Sequence, residues 1–295
     1  MPKGSGAISE TTRLRKPKLG QHFLRDTQAA QRIVEALGDV SQFTVLEIGA
    51  GTGALTGLLV RRARRVIAIE FDRVLAAQLR MRFATVDNVE ILEGDILSMD
   101  FDTIFGPKPG TSRPGLPFSP APVRVAGNLP YYITSDILLH LFYYHRYFEV
   151  LVLMVQREVA DRLAARPGTR DYGLLSATTR LYTRVEKLFT LPPGAFNPPP
   201  AVHSSVVRLT VDPQLSKLQV DEQAFISFLK LSFGQKRKTL WNNLKSKYDT
   251  GLLKAALAET GVKPNLRAEA LPLEKSAALF RALSHNGITS PSERG

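Results

Sequence analysis

The stretch Val45-Leu-Glu-Ile-Gly-Ala-Gly-Thr-Gly-Ala-Leu-Thr56 decides the fold. It joins a short apolar run, Thr44–Ile48, to three alternating glycines, Gly49, Gly51 and Gly53, and then to a segment expected to be helical from about Ala54. Such a turn needs residues without a Cβ, both to bend sharply and to let a ligand approach the backbone. The helix N-terminus behind it favours an anionic or polar group.

Outward from this turn, short apolar runs alternate with helical segments. Strands are expected at Val66–Ile69, Val89–Leu92, Val123–Ala126 and Val150–Val155. Helices are expected at Val74–Phe83, Ser135–Tyr144 and Arg157–Ala165. Near-continuous apolar strands separated by helices imply a parallel sheet covered on both faces. The fold class is therefore α/β, a Rossmann-like sheet with helices on both faces. Two further β-rich runs, Val185–Leu191 and Ser205–Val211, flank a Pro-rich stretch. Beyond Asp212 the chain reads as helical and Lys-rich. The expected organisation is a basic, disordered arm over 1–15, a catalytic domain over 16–213 and a small helical, RNA-binding domain over 214–295. The Pro- and Gly-rich segment Phe105–Pro122 reads as a surface insertion.

Three strand ends converge on one edge of such a sheet. Gly49 and Gly51 follow the first strand, Glu70 ends the second and Asp95 follows the third. A carboxylate at the position of Glu70 suits ribose hydroxyls, and one at Asp95 suits an adenine amine. Gly-x-Gly-x-Gly of methyltransferases and Gly-x-Gly-x-x-Ala of dinucleotide enzymes both fit here, so these residues leave two cofactor classes open.

Asn128-Leu129-Pro130-Tyr131, at the end of the fourth strand, separates the two. Adenine's exocyclic nitrogen is a poor nucleophile because its lone pair is delocalised into the ring. Acceptors aimed at its two hydrogens favour the tetrahedral geometry in which that pair is recovered. The Asn128 side-chain oxygen and the Leu129 carbonyl are of the right type. Pro130 removes a donor and fixes the turn. Tyr131 offers a ring for stacking, and Phe196, in the Pro-stiffened Phe196-Asn-Pro-Pro-Pro-Ala-Val202, is a candidate to close over the base from the other side. Catalysis of this kind rests on positioning and hydrogen bonding in a shielded pocket.

Composition narrows the partners. The 295 residues carry 39 Lys and Arg against 27 Asp and Glu, a net charge of +12, which favours a polyanion. The absence of cysteine excludes thiolate nucleophiles, zinc–thiolate sites and Cys-held clusters. No apolar run approaches the ~18 residues that cross a bilayer, and Met1–Lys18 lacks the apolar core of a secretory signal. A cytoplasmic monomer without a metal is expected. Gly234–Lys247 reads as a basic helix with Leu240, Leu244 and Tyr248 inward and Lys236, Arg237, Lys238, Lys245 and Lys247 facing RNA phosphates. A second basic run, Arg61–Arg65, reads equally well as a solvated face.

These residues resemble the KsgA/RsmA-type ribosomal RNA adenine dimethyltransferases, kin of the Erm and Dim-type enzymes. The likeness runs from about Lys16 to Leu283. It includes Leu19-Gly-Gln-His-Phe-Leu24, Glu47-Ile-Gly-Ala-Gly-Thr-Gly53, Glu70, Gly94-Asp95, Asn128-Leu-Pro-Tyr-Tyr132, Phe196 to Val202 with Ser204, Gln235-Lys-Arg-Lys-Thr-Leu240 and Arg267-Ala-Glu269. The resemblance implies S-adenosylmethionine as cofactor, with His22, Leu24, Gly49, Gly51, Glu70, Asp95, Ile96 and Asn128 in its contacts. It implies that Asn128, Leu129, Pro130, Tyr131 and Phe196 serve the target base. The implied substrate is a pair of adjacent adenosines in a hairpin near the 3′ end of small-subunit (16S) RNA, on an immature 30S particle. An Erm-type enzyme of large-subunit (23S) RNA is the nearest alternative, followed by a non-catalytic assembly factor. Many members carry Asn at the position of His22, and His also occurs. The Phe105–Pro122 insertion looks longer than is usual.

Overall fold

The computed structural model describes residues 21–107 and 122–286. The arm over 1–15, Leu19-Gly20 and most of the Phe105–Pro122 insertion lie outside the described residues.

Among the described residues there are nine strands: β1 (Phe23–Leu24), β2 (Thr44–Ile48), β3 (Arg65–Glu70), β4 (Val89–Glu93), β5 (Val123–Asn128), β6 (Phe148–Gln156), β7 (Thr183–Leu191), β8 (Phe196–Asn197) and β9 (Ser204–Val211). Seven of them form one sheet in the order β4-β3-β2-β5-β6-β9-β7. The first five run parallel. β9 lies between β6 and β7 and is antiparallel to both. The strand order reverses between β2 and β5, which opens a crevice at their carboxyl ends where ligands of open α/β sheets bind.

The strands obey a period of two. Leu46, Ile48, Ile67, Ile69 and Val125 enter one buried cluster, while Val45, Val66, Ala68 and Ala126 enter the other. Both faces are therefore dry, which is why the sequence shows apolar runs without alternation. The helix expected from Ala54 is a single turn, Thr56–Leu59. Gly53, at φ +79°, faces the helix Arg73–Arg82: a Cβ there would lie 2.9 Å from Leu79. From the same helix Arg82 donates to the Thr52 carbonyl at 2.7 Å. Asp72 starts that helix by accepting from the amides of Val74 and Leu75.

After β9 the described chain is helical: Leu215–Leu218, Glu222–Ser232, Leu240–Leu244, Thr250–Glu259 and Leu273–Asn286. One continuous buried cluster passes from Leu151 and Leu209 of the sheet through Leu181 and Tyr182 to Phe225, Phe228 and Phe280. The Tyr182 hydroxyl donates to Glu222 at 2.7 Å.

The basic helix expected over Gly234–Lys247 is not formed as such. Only Leu240–Leu244 is helical, with Thr239 as its cap. The Leu240 amide donates to the Leu266 carbonyl at 2.7 Å, so the helix cannot extend backward. Asn243 donates to the carbonyls of Ser232 and Gln235 and fixes the preceding turn. Lys236, Arg237 and Lys238 are exposed on that turn, and Lys245 and Lys247 are exposed after the helix. Leu240 and Leu244 are buried as expected, and Tyr248 is half-buried.

Glu47 is wholly buried in β2 and accepts from the Thr56 hydroxyl at 2.6 Å. Burial pushes its carboxyl up to about 8; the Thr56 bonds oppose this and the nearby Glu70 charge adds to it. The folded chain thus holds a proton that the unfolded chain releases near the ordinary carboxylate range. Stability from this group falls as pH rises through that window and levels off above about 8. Glu47→Gln keeps an acceptor for Thr56 and removes the titration. Its unfolding midpoint should fall less than that of the wild type between about pH 5 and pH 8, measured by thermal denaturation.

Candidate active site

A cavity of about 250 Å³ opens at the carboxyl edge of β2, β3, β4 and β5. Its wall brings together His22, Gly49, Gly51, Glu70, Asp95, Ile96, Asn128, Leu129, Pro130 and Tyr131. Sheet register explains the meeting: Ile48 pairs with both Ile69 and Gly127, so the residues that follow each strand emerge side by side.

Glu70 is 4% exposed. One carboxylate oxygen accepts from the Gly51 amide at 2.7 Å and the other from the Asp72 amide at 2.8 Å. Gly51 sits at φ +57°, and a Cβ there would lie 3.0 Å from the Phe23 ring. Asp95 accepts from the Leu97 amide at 3.0 Å through one oxygen. Its other oxygen makes no hydrogen bond among the described residues. Ile96, 6% exposed, adds an apolar surface beside it.

The Asn128 turn is fixed at each bond. The Asn128 side-chain nitrogen donates to the His22 carbonyl at 2.8 Å, which leaves its oxygen as the free end of the amide. The Leu129 amide donates to Met154 at 3.0 Å. The Leu129 carbonyl is unpartnered among the described residues. The Pro130 carbonyl accepts from the Thr134 hydroxyl at 3.0 Å. The Tyr131 hydroxyl bonds Ser204 at 2.5 Å. Burial holds the Tyr131 phenol above its ordinary range, against the Ser204 bond, so it stays neutral. The His22 ring stacks on Tyr131 with centroids 5.6 Å apart.

Two expected site residues lie elsewhere. Leu24 and Phe196 are opposed in the short β1–β8 pairing and buried in one core cluster, 7% and 2% exposed. Neither lines the cavity. They pin the arm that carries His22: the amides of Arg25 and Asp26 donate to the Ala195 carbonyl. The basic residues are likewise apart from the cavity. Lys236 and Lys238 line a separate cleft with Arg162 and Arg170. Two rim residues were not singled out from sequence, Phe71 and Tyr132, which are 58% and 63% exposed. Each directly follows a predicted site residue, and large exposed aromatics at a cavity mouth are the signal that marks them.

Five parallel strands with a site at their carboxyl edge give a Rossmann-like architecture, the class that its methyltransferase relatives share. The chain belongs to the ribosomal RNA adenine dimethylase family, whose sequence model matches residues 13–285. It is 57% identical over 283 residues to the "Ribosomal RNA small subunit methyltransferase A" of Koribacter versatilis, covering 96% of this chain and 99% of that one. It is 50% identical to the protein of the same name from Acidobacterium capsulatum, covering 96% of each. Among solved structures it is similar to a dimethyladenosine transferase from Plasmodium falciparum, with TM-score 0.75 and 26% identity over 90% of this chain and 99% of that one. It is also similar to the 23S rRNA methyltransferase ErmE, with TM-score 0.62 and 28% identity over 89% and 99%.

Since Leu24 holds the arm by packing, Leu24→Ala should lower the unfolding free energy by roughly 2–5 kcal/mol, read by urea denaturation. Protease cleavage within residues 21–26 should rise in the same variant.

Proposed function

We propose that this chain transfers methyl groups from S-adenosylmethionine to the exocyclic amines of two adjacent adenosines in a hairpin near the 3′ end of small-subunit ribosomal RNA. The observation that carries this is the meeting, in one cavity, of Glu70 and Asp95 with the Asn128–Tyr131 turn. The wall fits a nucleoside cofactor. Glu70 has lone pairs left for ribose hydroxyls, the free oxygen of Asp95 suits an adenine amine, Ile96 supplies an apolar face, and Gly51 keeps the backbone clear of a side chain. When bound, S-adenosylmethionine supplies an electrophilic methyl group.

The protein's part is to prepare the amine. The free Asn128 oxygen and the Leu129 carbonyl accept its two hydrogens and draw the nitrogen toward tetrahedral geometry. Both acceptors are held by the bonds to His22 and Met154, so little reorganisation is needed at the moment of reaction. The neutral Tyr131 ring, anchored by Ser204, supports the base. Phe196 acts indirectly, by holding Leu24 and the arm.

Small-subunit RNA is favoured over large-subunit RNA by the names of the relatives at 57% and 50% identity. On this reading the chain works in the cytoplasm, on an immature 30S particle, and a monomer is the simplest state for it. The helical region from residue 214, with Lys236, Arg237, Lys238, Lys245 and Lys247, would supply phosphate contacts. Among the described residues no helix is long and apolar enough to cross a membrane.

With labelled S-adenosylmethionine and immature small subunits, the wild type should yield dimethyladenosine in the small-subunit RNA. Asn128→Ala should lose transfer by on the order of 10²-fold or more while still binding the cofactor. Label confined to large-subunit RNA would move the chain to the other substrate. Neutralising Lys236, Arg237 and Lys238 together should reduce the slope of log affinity against log salt by roughly 2, measured by RNA titration at several salt concentrations.

A further inference from the structure

We propose that the second cleft, beside the basic turn, holds an unpaired nucleotide of the RNA other than the target adenosine and binds its base through that base's N–H groups, a role that rests on the function proposed above. The cleft measures about 720 Å³, within the size range of small-ligand sites. One wall is the helix Arg157–Ala164 with the loop after it, and the other is the turn that carries Phe233, Lys236 and Lys238, with Glu269. Lys236 Nζ donates to the Arg170 carbonyl at 3.0 Å and the Gly168 amide to the Glu269 carbonyl at 2.8 Å, so the two walls are tied together. The helix leads here from the cavity. Gln156 pairs with Ser204, which bonds Tyr131, and the Arg157 amide donates to the His203 carbonyl at 3.0 Å. Glu158 and Arg162 follow within five residues, roughly 8 Å along the helix. A strand with one base at Tyr131 therefore runs toward this cleft.

Tyr172 lines this cleft and is 1% exposed, yet its hydroxyl has no hydrogen-bond partner among the described residues. No fully sealed side-chain oxygen or nitrogen among those residues lacks a partner, so the hydroxyl opens on the cleft. Burial pushes the phenol up to about 12, which keeps it a donor at neutral pH. A donor left without a partner is costly, and a ligand oxygen removes that cost. The charges point the same way. Arg162, Arg170 and Lys238 form no ion pair among the described residues, and neither do Glu158 and Asp171. Glu158 and Arg162 stand four residues apart on one helix, the spacing at which opposite charges meet, and still do not pair. A groove for phosphates alone would hold cations only. Here Glu158, Asp171 and Glu269 stand among the cations. A carboxylate only accepts, so it needs donors, and those of a nucleotide are on the base and the ribose. The cations and the Tyr172 hydroxyl take the phosphate, the acids take the N–H groups of the base, and the half-buried Phe233 ring, 6.1 Å from that of Tyr172, offers a stacking face.

Affinity of the full chain for immature small subunits tests the role, measured by filter binding beside methyl transfer by the wild type. Tyr172→Phe keeps the ring and removes the donor. It should bind the subunits about 10-fold more weakly, and binding equal to that of the wild type overturns the proposal. The double variant Glu158→Gln and Asp171→Asn decides between a base site and a plain phosphate groove by the sign of its effect. If the acids hold a base, affinity falls, by on the order of 10-fold. If the cleft holds phosphates alone, loss of two negative charges tightens binding. Tighter or unaltered binding overturns the proposal. Both side chains are exposed, so the fold should tolerate their change, and the dissociation constant for S-adenosylmethionine checks that it does. A wild type that methylates small subunits, with variants that bind them equally well, removes this role and leaves the proposed function standing. A wild type that neither binds nor methylates them removes both.

Discussion

One buried carboxylate organises the working edge of this protein. Glu70 accepts from the amide of Gly51 on one side and from that of Asp72 on the other. It thereby ties the glycine turn after β2 to the helix start after β3. Taking a carboxylate out of water is costly, and its two amide bonds offset that cost. Because Asp72 is also the cap of the helix Arg73–Arg82, and that helix packs against Gly53, the turn, the strand end and the helix form one closed unit. The rest of the site is built against it.

The opposite wall depends on an arm rather than on the sheet. Residues 22–26 gain order from a two-residue pairing with β8, from bonds to Ala195 and from the Asn128 side chain. The last of these joins the arm to the strand end that carries the acceptor groups. The amide that orients the free Asn128 oxygen thus also bonds the His22 carbonyl, so one hydrogen bond couples the base side of the cavity to the arm.

Much of this was legible from the chain alone, for identifiable reasons. The strands Thr44–Ile48 and Arg65–Glu70 are largely apolar and rich in β-branched residues; a glycine follows the first and an acid ends the second, so both their extent and their site residues are legible. Gly49, Gly51, Glu70, Asp95 and the Asn128 turn meet as expected because parallel register brings strand ends together. Pairings without periodicity were not legible. β1 and β8 are two residues long and far apart in sequence, so nothing local marks Leu24 and Phe196 as core rather than cavity wall. The basic helix failed for a similar reason: the Leu266 carbonyl that ends it is remote and invisible to local spacing. The place of β9, between β6 and β7, is also a long-range matter that apolar runs do not reveal.

That placement bears on how the chain is made. β6 and β7 are both synthesised before the strand that joins them, and neither pairs with the other. A growing polypeptide therefore carries β6 as an open edge, with the backbone groups along Val150–Gln156 unpaired on that side, until Ser204–Val211 has emerged. Exposed apolar edges invite pairing with other chains. The β6 edge stays open to such pairing while residues 157–203 are translated, and the arrival of β9 closes it by inserting between its neighbours.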